Sequence, residues 1–280
     1  MMVLKKIAVL SMVRNNEAFA SKWIQYYGAQ FGFNNLYLFI DGMDQKLPEL
    51  AAEINCFKLP HYSYKRPKAD RKRAKLISNF ATQLFESYEV VLAMDIDEFL
   101  VLDPNINSNL KHYLSQKFKG SSLSALGIDV GQHPDLEQPI NWDQPLLSQR
   151  AFAQVSDRYT KPIIAFKPLK WGSGFHRIKG KNFKIDANLY LFHLGLIDID
   201  YTQDYIKKSA LHDLGWGNHF ERRKRLYTAI QTQKTLNTAV FFNQIRTYFS
   251  KHRKWYAWNK PAAYHANAVI KIPKRFKQLI

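Results

Sequence analysis

Apolar residues recur at two different periods along the first hundred positions, and the alternation between them lays out the architecture. Lys6 to Val13 is a nearly unbroken apolar run, as a strand buried on both faces requires. From Glu17 to Phe31 the spacing lengthens to three and four, so Phe19, Trp23, Ile24, Tyr27 and Phe31 share one helical face. Asn16 stands at the N-cap position, and Gly32 stands where a helix commonly ends in a left-handed residue. Asn35 to Asp41 returns to strand character and closes in Asp41-Gly42, which makes strand, helix and strand a βαβ unit. Ile54 to Leu59 is a third short strand. A helix follows whose core face is Leu76 or Ile77, Phe80, Ala81, Leu84 and Phe85.

Val90 to Leu100 is the stretch around which the rest is organised. Five apolar residues run into Asp95, Asp97 and Glu98 within four positions, and the chain then turns apolar again. Open α/β sheets bind ligands just beyond the carboxyl ends of their strands. On an extended segment Asp95 and Asp97, two apart, point the same way. Carboxylates held that close repel unless something positive sits between them, and a hard divalent ion carrying phosphate oxygens suits that place.

Beyond this point the pattern predicts a short helix over residues 107–118 and a strand from Ser122 to Asp129. Residues 134–160, rich in Pro, Gln and Asp, read as an irregular insertion over an acceptor site. Strands are expected over Lys161–Lys167 and Asn188–Gly195, separated by the Gly-rich loop Trp171-Gly172-Ser173-Gly174-Phe175-His176. From Ile199 the character changes. Helices are expected over Tyr201–Leu214, around Arg222-Arg223-Lys224-Arg225, and over Thr235–Phe249, with a break at Gly215 to His219. The division this suggests is a domain over 1–200 and a helical, basic extension over 201–280, packed on that domain or on a membrane surface.

Composition narrows the class. The 280 residues carry 41 Lys and Arg against 23 Asp and Glu, a net charge of +18. Such a surface suits nucleic acid, an anionic membrane face or anionic substrates. No zinc-finger, helix-turn-helix or RNA-binding signature accompanies it, so no specific nucleic acid is expected. Cys56 is alone, which removes a disulfide framework and points to a reducing compartment. The expectation is a cytoplasmic protein, peripheral at most on the inner face of the plasma membrane. Trp255, Tyr256 and Trp258 among Arg253, Lys254, Lys271, Lys274, Arg275 and Lys277 suit an anionic headgroup layer. Seven of the eleven residues from Lys65 to Lys75 are basic, at a helix start where the dipole prefers anions. An anionic ligand would relieve that conflict.

The segment Met94-Asp95-Ile96-Asp97-Glu98-Phe99-Leu100 resembles the Asp-x-Asp motif of nucleotide-sugar-dependent glycosyltransferases with a GT-A fold, in its family-2-like and family-92-like form. Arg14-Asn15-Asn16-Glu17, Trp23-Ile24-Gln25-Tyr26-Tyr27 and Gly32-Phe33 resemble the opening of the same proteins, and the likeness runs over roughly residues 3–195. It implies an α/β fold, GT-A-like and Rossmann-like, with a mostly parallel sheet flanked by helices. It implies transfer of a sugar from a nucleoside diphosphate sugar, a UDP-sugar first, to a hydroxyl of a glycan or a lipid-linked, lipopolysaccharide-like acceptor.

What the resemblance implies for single residues is specific. Asp97 is the first metal ligand and His193 the second, suited to Mn²⁺ and tolerant of Mg²⁺. Asp95 touches the ribose or a metal-bound water, with Glu98 behind it. Arg14, Asn16, Glu17 and Asp41 border the nucleotide, and Asp41 can accept from ribose hydroxyls or a base N–H. Arg71 and Lys75, then Lys65, approach the phosphates. Trp171 and His176 flank the sugar. An inverting reaction needs a carboxylate base for the acceptor hydroxyl; Asp129 is the candidate, with Asp186 next. Two rivals stand beside this reading. A sugar nucleotidyltransferase needs a Gly-rich basic loop after strand one, unlike Met12-Val13-Arg14-Asn15. A non-catalytic binder of anionic glycan, membrane or nucleic acid predicts no donor turnover.

Overall fold

The computed structural model describes residues 4–180, 183–208, 217–264 and 268–280. Strands β1 (Ile7–Val13), β2 (Leu36–Asp41), β3 (Asn55–Leu59) and β4 (Val90–Ala93) run parallel in the order β3-β2-β1-β4. Helix α1 (Glu17–Phe31) covers one face of this half-sheet and α2 (Arg66–Leu84) the other. The period of two decides which residue meets which helix. Ile7, Val9, Leu36, Leu38, Val90 and Leu92 join the α1 side with Phe19, Trp23, Ile24 and Tyr27. Ala8, Leu10, Phe39, Val91 and Ala93 join the α2 side with Ile77, Ala81 and Leu84. The result is a three-layer α/β arrangement with a mixed central sheet, compatible with a Rossmann-like fold.

The sheet changes character past β4. Strand β5 (Glu98–Leu102) pairs antiparallel with β9 (Ile185–Leu196), and β9 pairs parallel with β6 (Ser122–Gly131). Strand β8 (Ile164–Ala165) bridges β4 and β6, antiparallel to both, and β7 (Phe152–Val155) lies antiparallel against the far part of β6. The stretch expected as one strand through Asp95 and Asp97 is therefore two, broken at 94–97 by a turn in which Glu98 N–H donates to the Asp95 carbonyl at 3.1 Å. Only Ile164–Ala165 of the strand expected over 161–167 is strand, and β7 lies within the segment expected to be irregular. The short helix expected at 107–118 is α3 (Leu110–Ser115), capped by the Asn109 side chain.

The rest of the chain adds helices and three short strands. Helices α4 (Ile199–Lys208), α5 (Gly217–Thr232) and α6 (Thr238–Lys251) are joined by a hairpin of β10 (Arg253–Lys254) and β11 (Ala257–Pro261), and by β12 (Val269–Lys271). Phe241, Phe242, Ile245, Phe249, Ile270 and Phe276 belong to the same core as Ile7 and Trp23. Strand β12 extends the main sheet beyond β7. Leu226, Ala229 and Ile230 of α5 pack in a smaller cluster of their own with Leu196 and Val269. The expected helix end at Leu214 and the break at Gly215-Trp216 lie outside the described residues, as do the side chains of Arg222 and Arg223. Among the described residues no helix is long and apolar enough to cross a membrane.

Candidate functional site

The turn between β4 and β5 lies at the carboxyl edge of the parallel strands. Its two aspartates part company there. Asp95 is held by cations: the Arg73 guanidinium donates to Oδ1, and Lys161 Nζ lies 2.9 Å from Oδ2. Lys161 also reaches Glu98 Oε1 at 2.6 Å and the Gly174 carbonyl at 2.8 Å. The second Glu98 oxygen accepts from Asp95 N–H at 3.0 Å. Lys161 and Glu98 are both 0% exposed. The repulsion between adjacent carboxylates is thus relieved for Asp95 by the protein's own cations, and the expected shared direction of Asp95 and Asp97 gives way to the turn.

The electrostatics follow from burial and pairing. Burial opposes ionisation of Asp95, but Arg73 and Lys161 outweigh it and hold the carboxyl well below the ordinary aspartate range. Burial pushes Glu98 up to about 7, while Lys161 pulls it back. Desolvation works against the charge on Lys161, and the carboxylates of Asp95 and Glu98 overcome it and hold its pKa above the ordinary lysine value.

Asp97 faces the other way, towards His193. Three strands build this pair. In the register of β5, β9 and β6, Glu98 lies opposite His193 and His193 opposite Asp129, one rung across the sheet. A shift of register between Asp129 and Gly131 re-aims the end of β6. His193 Nδ1 lies 2.7 Å from Asp129 Oδ1, and Nε2 lies 3.2 Å from Asp97 Oδ2. The Tyr159 ring stacks on the imidazole at 3.8 Å. Gly195 leaves room beside the pair, since any Cβ there would run into the Asp97 carboxylate and the imidazole.

A carboxylate only accepts, so the Asp129 contact places a proton on Nδ1. A neutral ring then turns the lone pair of Nε2 towards Asp97. Two electron pairs meeting at 3.2 Å need a proton on Nε2 or a cation between them. Two donors side by side on a hexacoordinate ion, with bonds of ~2.1 Å, stand roughly 3.0 Å apart. A histidine oriented through its far nitrogen by a carboxylate is also the usual support of a metal-bound imidazole. The spacing of the pair at 3.2 Å matches two neighbouring donors of such an ion, and it equally matches an imidazolium donating to Asp97. Among the described residues no group of three or more His, Cys, Asp or Glu side chains is placed so that it could hold a metal ion.

Several expected residues lie elsewhere or do other work. Arg14 is turned away, its guanidinium donating to the Asp41 carbonyl at 2.6 Å and to both Asp44 oxygens at 3.1 Å. The Asp41 carboxylate pairs with His61 Nδ1 at 3.0 Å. Asn16 occupies the N-cap position without capping, because its Oδ1 accepts from Tyr201 OH at 2.7 Å. Glu17 is exposed in the first turn of α1. Lys65, Arg71 and Lys75 are exposed, whereas Arg73 reaches the site. Trp171 is buried in the α2-side core and donates through Nε1 to the Pro162 carbonyl at 2.7 Å, and it also lines the groove beside the β10–β11 hairpin. His176 is half-buried with Nδ1 2.9 Å from the Arg158 carbonyl, and desolvation, with Lys161 and Lys260 nearby, holds it well below the ordinary histidine value. Asp186 leaves the site altogether. It lies seven residues before His193 on β9, about 23 Å along an extended strand, where Tyr113 OH donates to it at 2.8 Å.

Sequence reasoning passed over Arg73, Lys161 and Gly195. Arg73 precedes Ile77 and Ala81 by four and eight, so helical spacing places it on the core face, and that signal was available. Lys161 had none, since it reads as a polar strand end. No protein-family model matches the chain, and no curated protein matches it either.

Proposed function

We propose that the chain is a metal-dependent glycosyltransferase of GT-A-like fold, moving a sugar from a nucleoside diphosphate sugar to a hydroxyl of a glycan or lipid-linked acceptor. The observation that carries this reading is the Asp97–His193 pair at 3.2 Å, supported through Asp129 at the carboxyl edge of a parallel half-sheet. Asp97 and His193 would hold Mn²⁺ or Mg²⁺, which supplies electrostatic stabilisation of a departing diphosphate. Asp129 fixes the imidazole, and Tyr159 restricts its tilt. Arg73 and Lys161 neutralise Asp95, so the turn stays folded with a carboxylate on each side of it. The crowding at Gly195 favours a small residue where a bound group must approach.

The nucleotidyltransferase alternative is less well supported, because Arg14 in the β1–α1 turn is committed to Asp41 and Asp44 and the turn has no Gly-rich cradle. The test is calorimetric titration with UDP and the other nucleoside diphosphates, with Mn²⁺ or with chelator, on the native chain and on Asp97→Ala. Binding of one diphosphate that needs both the ion and Asp97 is the expected result. Absence of metal-dependent binding in folded protein would remove the transferase reading and leave a non-catalytic binder.

A further inference from the structure

The hairpin of β10 and β11 displays three aromatic side chains: Trp255 is 85% exposed, Tyr256 59% and Trp258 50%. Large rings clustered at the surface mark an interaction site more than singly scattered ones do. The hairpin is fastened in place. The buried side-chain amide of Asn259 donates to the carbonyls of Ile178 and Gly180. Arg253 donates to the Trp258 carbonyl at 3.1 Å and lies 4.3 Å over the Phe183 ring.

Opposite the hairpin, segment 170–179 folds back on itself, with Lys179 N–H on the Lys170 carbonyl at 3.0 Å and Gly172 N–H on the Arg177 carbonyl at 2.8 Å. Hairpin and segment border an open groove of about 630 Å³, lined by Trp255, Tyr256 and Trp258 together with Lys170, Arg177 and Lys179. More cations stand beside it. Lys260 is pushed down to about 8 by burial and by Lys254, with Arg158 and Arg177 adding to the effect, while Asp157 opposes it and pairs with Lys254 at 3.6 Å. Such a cluster repels itself and gains from an anion. The same segment touches the candidate site: Gly174 accepts from Lys161, and Arg73 lies 5.3 Å over the Phe175 ring.

We propose that this groove binds an acidic oligosaccharide, a short sugar chain bearing carboxylates or phosphates, as the acceptor of the transfer reaction. The acceptor role rests on the glycosyltransferase reading, but the binding itself does not. Sugar rings offer flat apolar faces that suit aromatic platforms with polar groups around them. Lysine and arginine heads on the facing wall answer the acidic groups. A concave site walled on both sides suits a chain-like ligand better than the broad face of a bilayer. The groove's link to the candidate site runs through segment 170–179, whose Gly174 carbonyl accepts from Lys161.

The test is tryptophan-fluorescence titration of the full chain with tetragalacturonate, neutral maltotetraose, and vesicles of phosphatidylcholine with or without phosphatidylglycerol. Saturable binding of tetragalacturonate that weakens with salt is expected, with maltotetraose weaker. Trp255→Ala with Tyr256→Ala should weaken it at least ~10-fold, and Arg177→Gln with Lys179→Gln should flatten the salt dependence. Isothermal calorimetry checks the Trp255 variant, which lacks part of the optical signal. Equal binding of maltotetraose, no effect of either double variant, no oligosaccharide binding, or vesicle binding alone would each overturn the proposal. UDP titration with Mn²⁺ in parallel separates the two readings. Nucleotide binding without tetragalacturonate binding removes the groove alone; the reverse removes the transferase assignment and leaves an acidic-glycan binder.

Discussion

Lys161 contacts Glu98 at 2.6 Å with neither side chain exposed to solvent. Breaking a buried pair from one side leaves an uncompensated charge and costs about 3–5 kcal/mol. Lys161→Met should therefore lower the urea midpoint sharply. Lys161→Met with Glu98→Gln should recover part of the loss, and purely additive effects would contradict direct coupling.

Asp129 and His193 allow two roles for one carboxylate to be separated. A positioning carboxylate sets the affinity of the ion that its histidine holds, and losing such a partner typically costs about 10–100-fold. Asp129→Asn should therefore weaken Mn²⁺-dependent UDP binding by that order. If Asp129 acted solely as the acceptor base, UDP binding would stay unchanged and only turnover would fall.

Gly195→Ala should fold yet lose metal-dependent nucleotide binding, since its methyl group meets the Asp97 carboxylate and the imidazole. Calorimetry reads the binding and circular dichroism the fold. Undiminished binding would mean that the ion does not sit between these two residues.

His176 gives stability a pH dependence of known sign. Its pKa is held well below 6.5 in the folded chain. Below that pH the unfolded state binds more protons, so this contribution is fully present above 6.5 and is lost as pH falls towards the folded value. Glu98, pushed up to about 7, works in the opposite sense over the same range in both chains. The readout is therefore the difference between the native chain and His176→Gln, whose urea midpoint should fall less, or rise more, from pH 7 to pH 5 than that of the native chain.

Lys260 combines a cost with a use. Burial and neighbouring cations disfavour its charge, so Lys260→Met should stabilise the chain by about 1–2 kcal/mol at neutral pH. The same variant should bind tetragalacturonate more weakly. Stabilisation without weaker binding would place Lys260 outside the ligand's reach.

Periodicity made the βαβ core legible. The helix expected over Glu17–Phe31 has those bounds, and Leu36–Asp41 and Val90–Ala93 are strands as the apolar runs required. What was hidden is non-local. A pattern of single residues cannot say that Val90 to Leu100 breaks, because the break exists to let β5 reverse against β9, ninety residues on. Nor can it distinguish Arg73 from Arg71 by charge, and only the face they occupy separates them. Lys161 reads as solvated because lysine usually is, and its burial depends on carboxylates contributed by another segment. The late strand carrying His193 was visible in its apolar run, while the partner of its Nδ1 depended on a register between distant strands. The C-terminal part, expected as a helical, basic extension packed on the domain or on a membrane surface, also supplies a strand, Val269–Lys271, to the main sheet. That pairing depends on a partner more than a hundred residues earlier.

That late contribution orders the chain's own assembly in time. Strand β7 receives its outer neighbour from Val269–Lys271, Asp103 its guanidinium from Arg275, and Leu146 N–H its acceptor from the carbonyl of Ile280. More than a hundred residues separate β7 from β12, so the outer backbone groups of β7 stay unpaired until Val269–Lys271 reach them. Pairing of β12, later in the chain than the first βαβ unit, is then what closes that edge of the sheet.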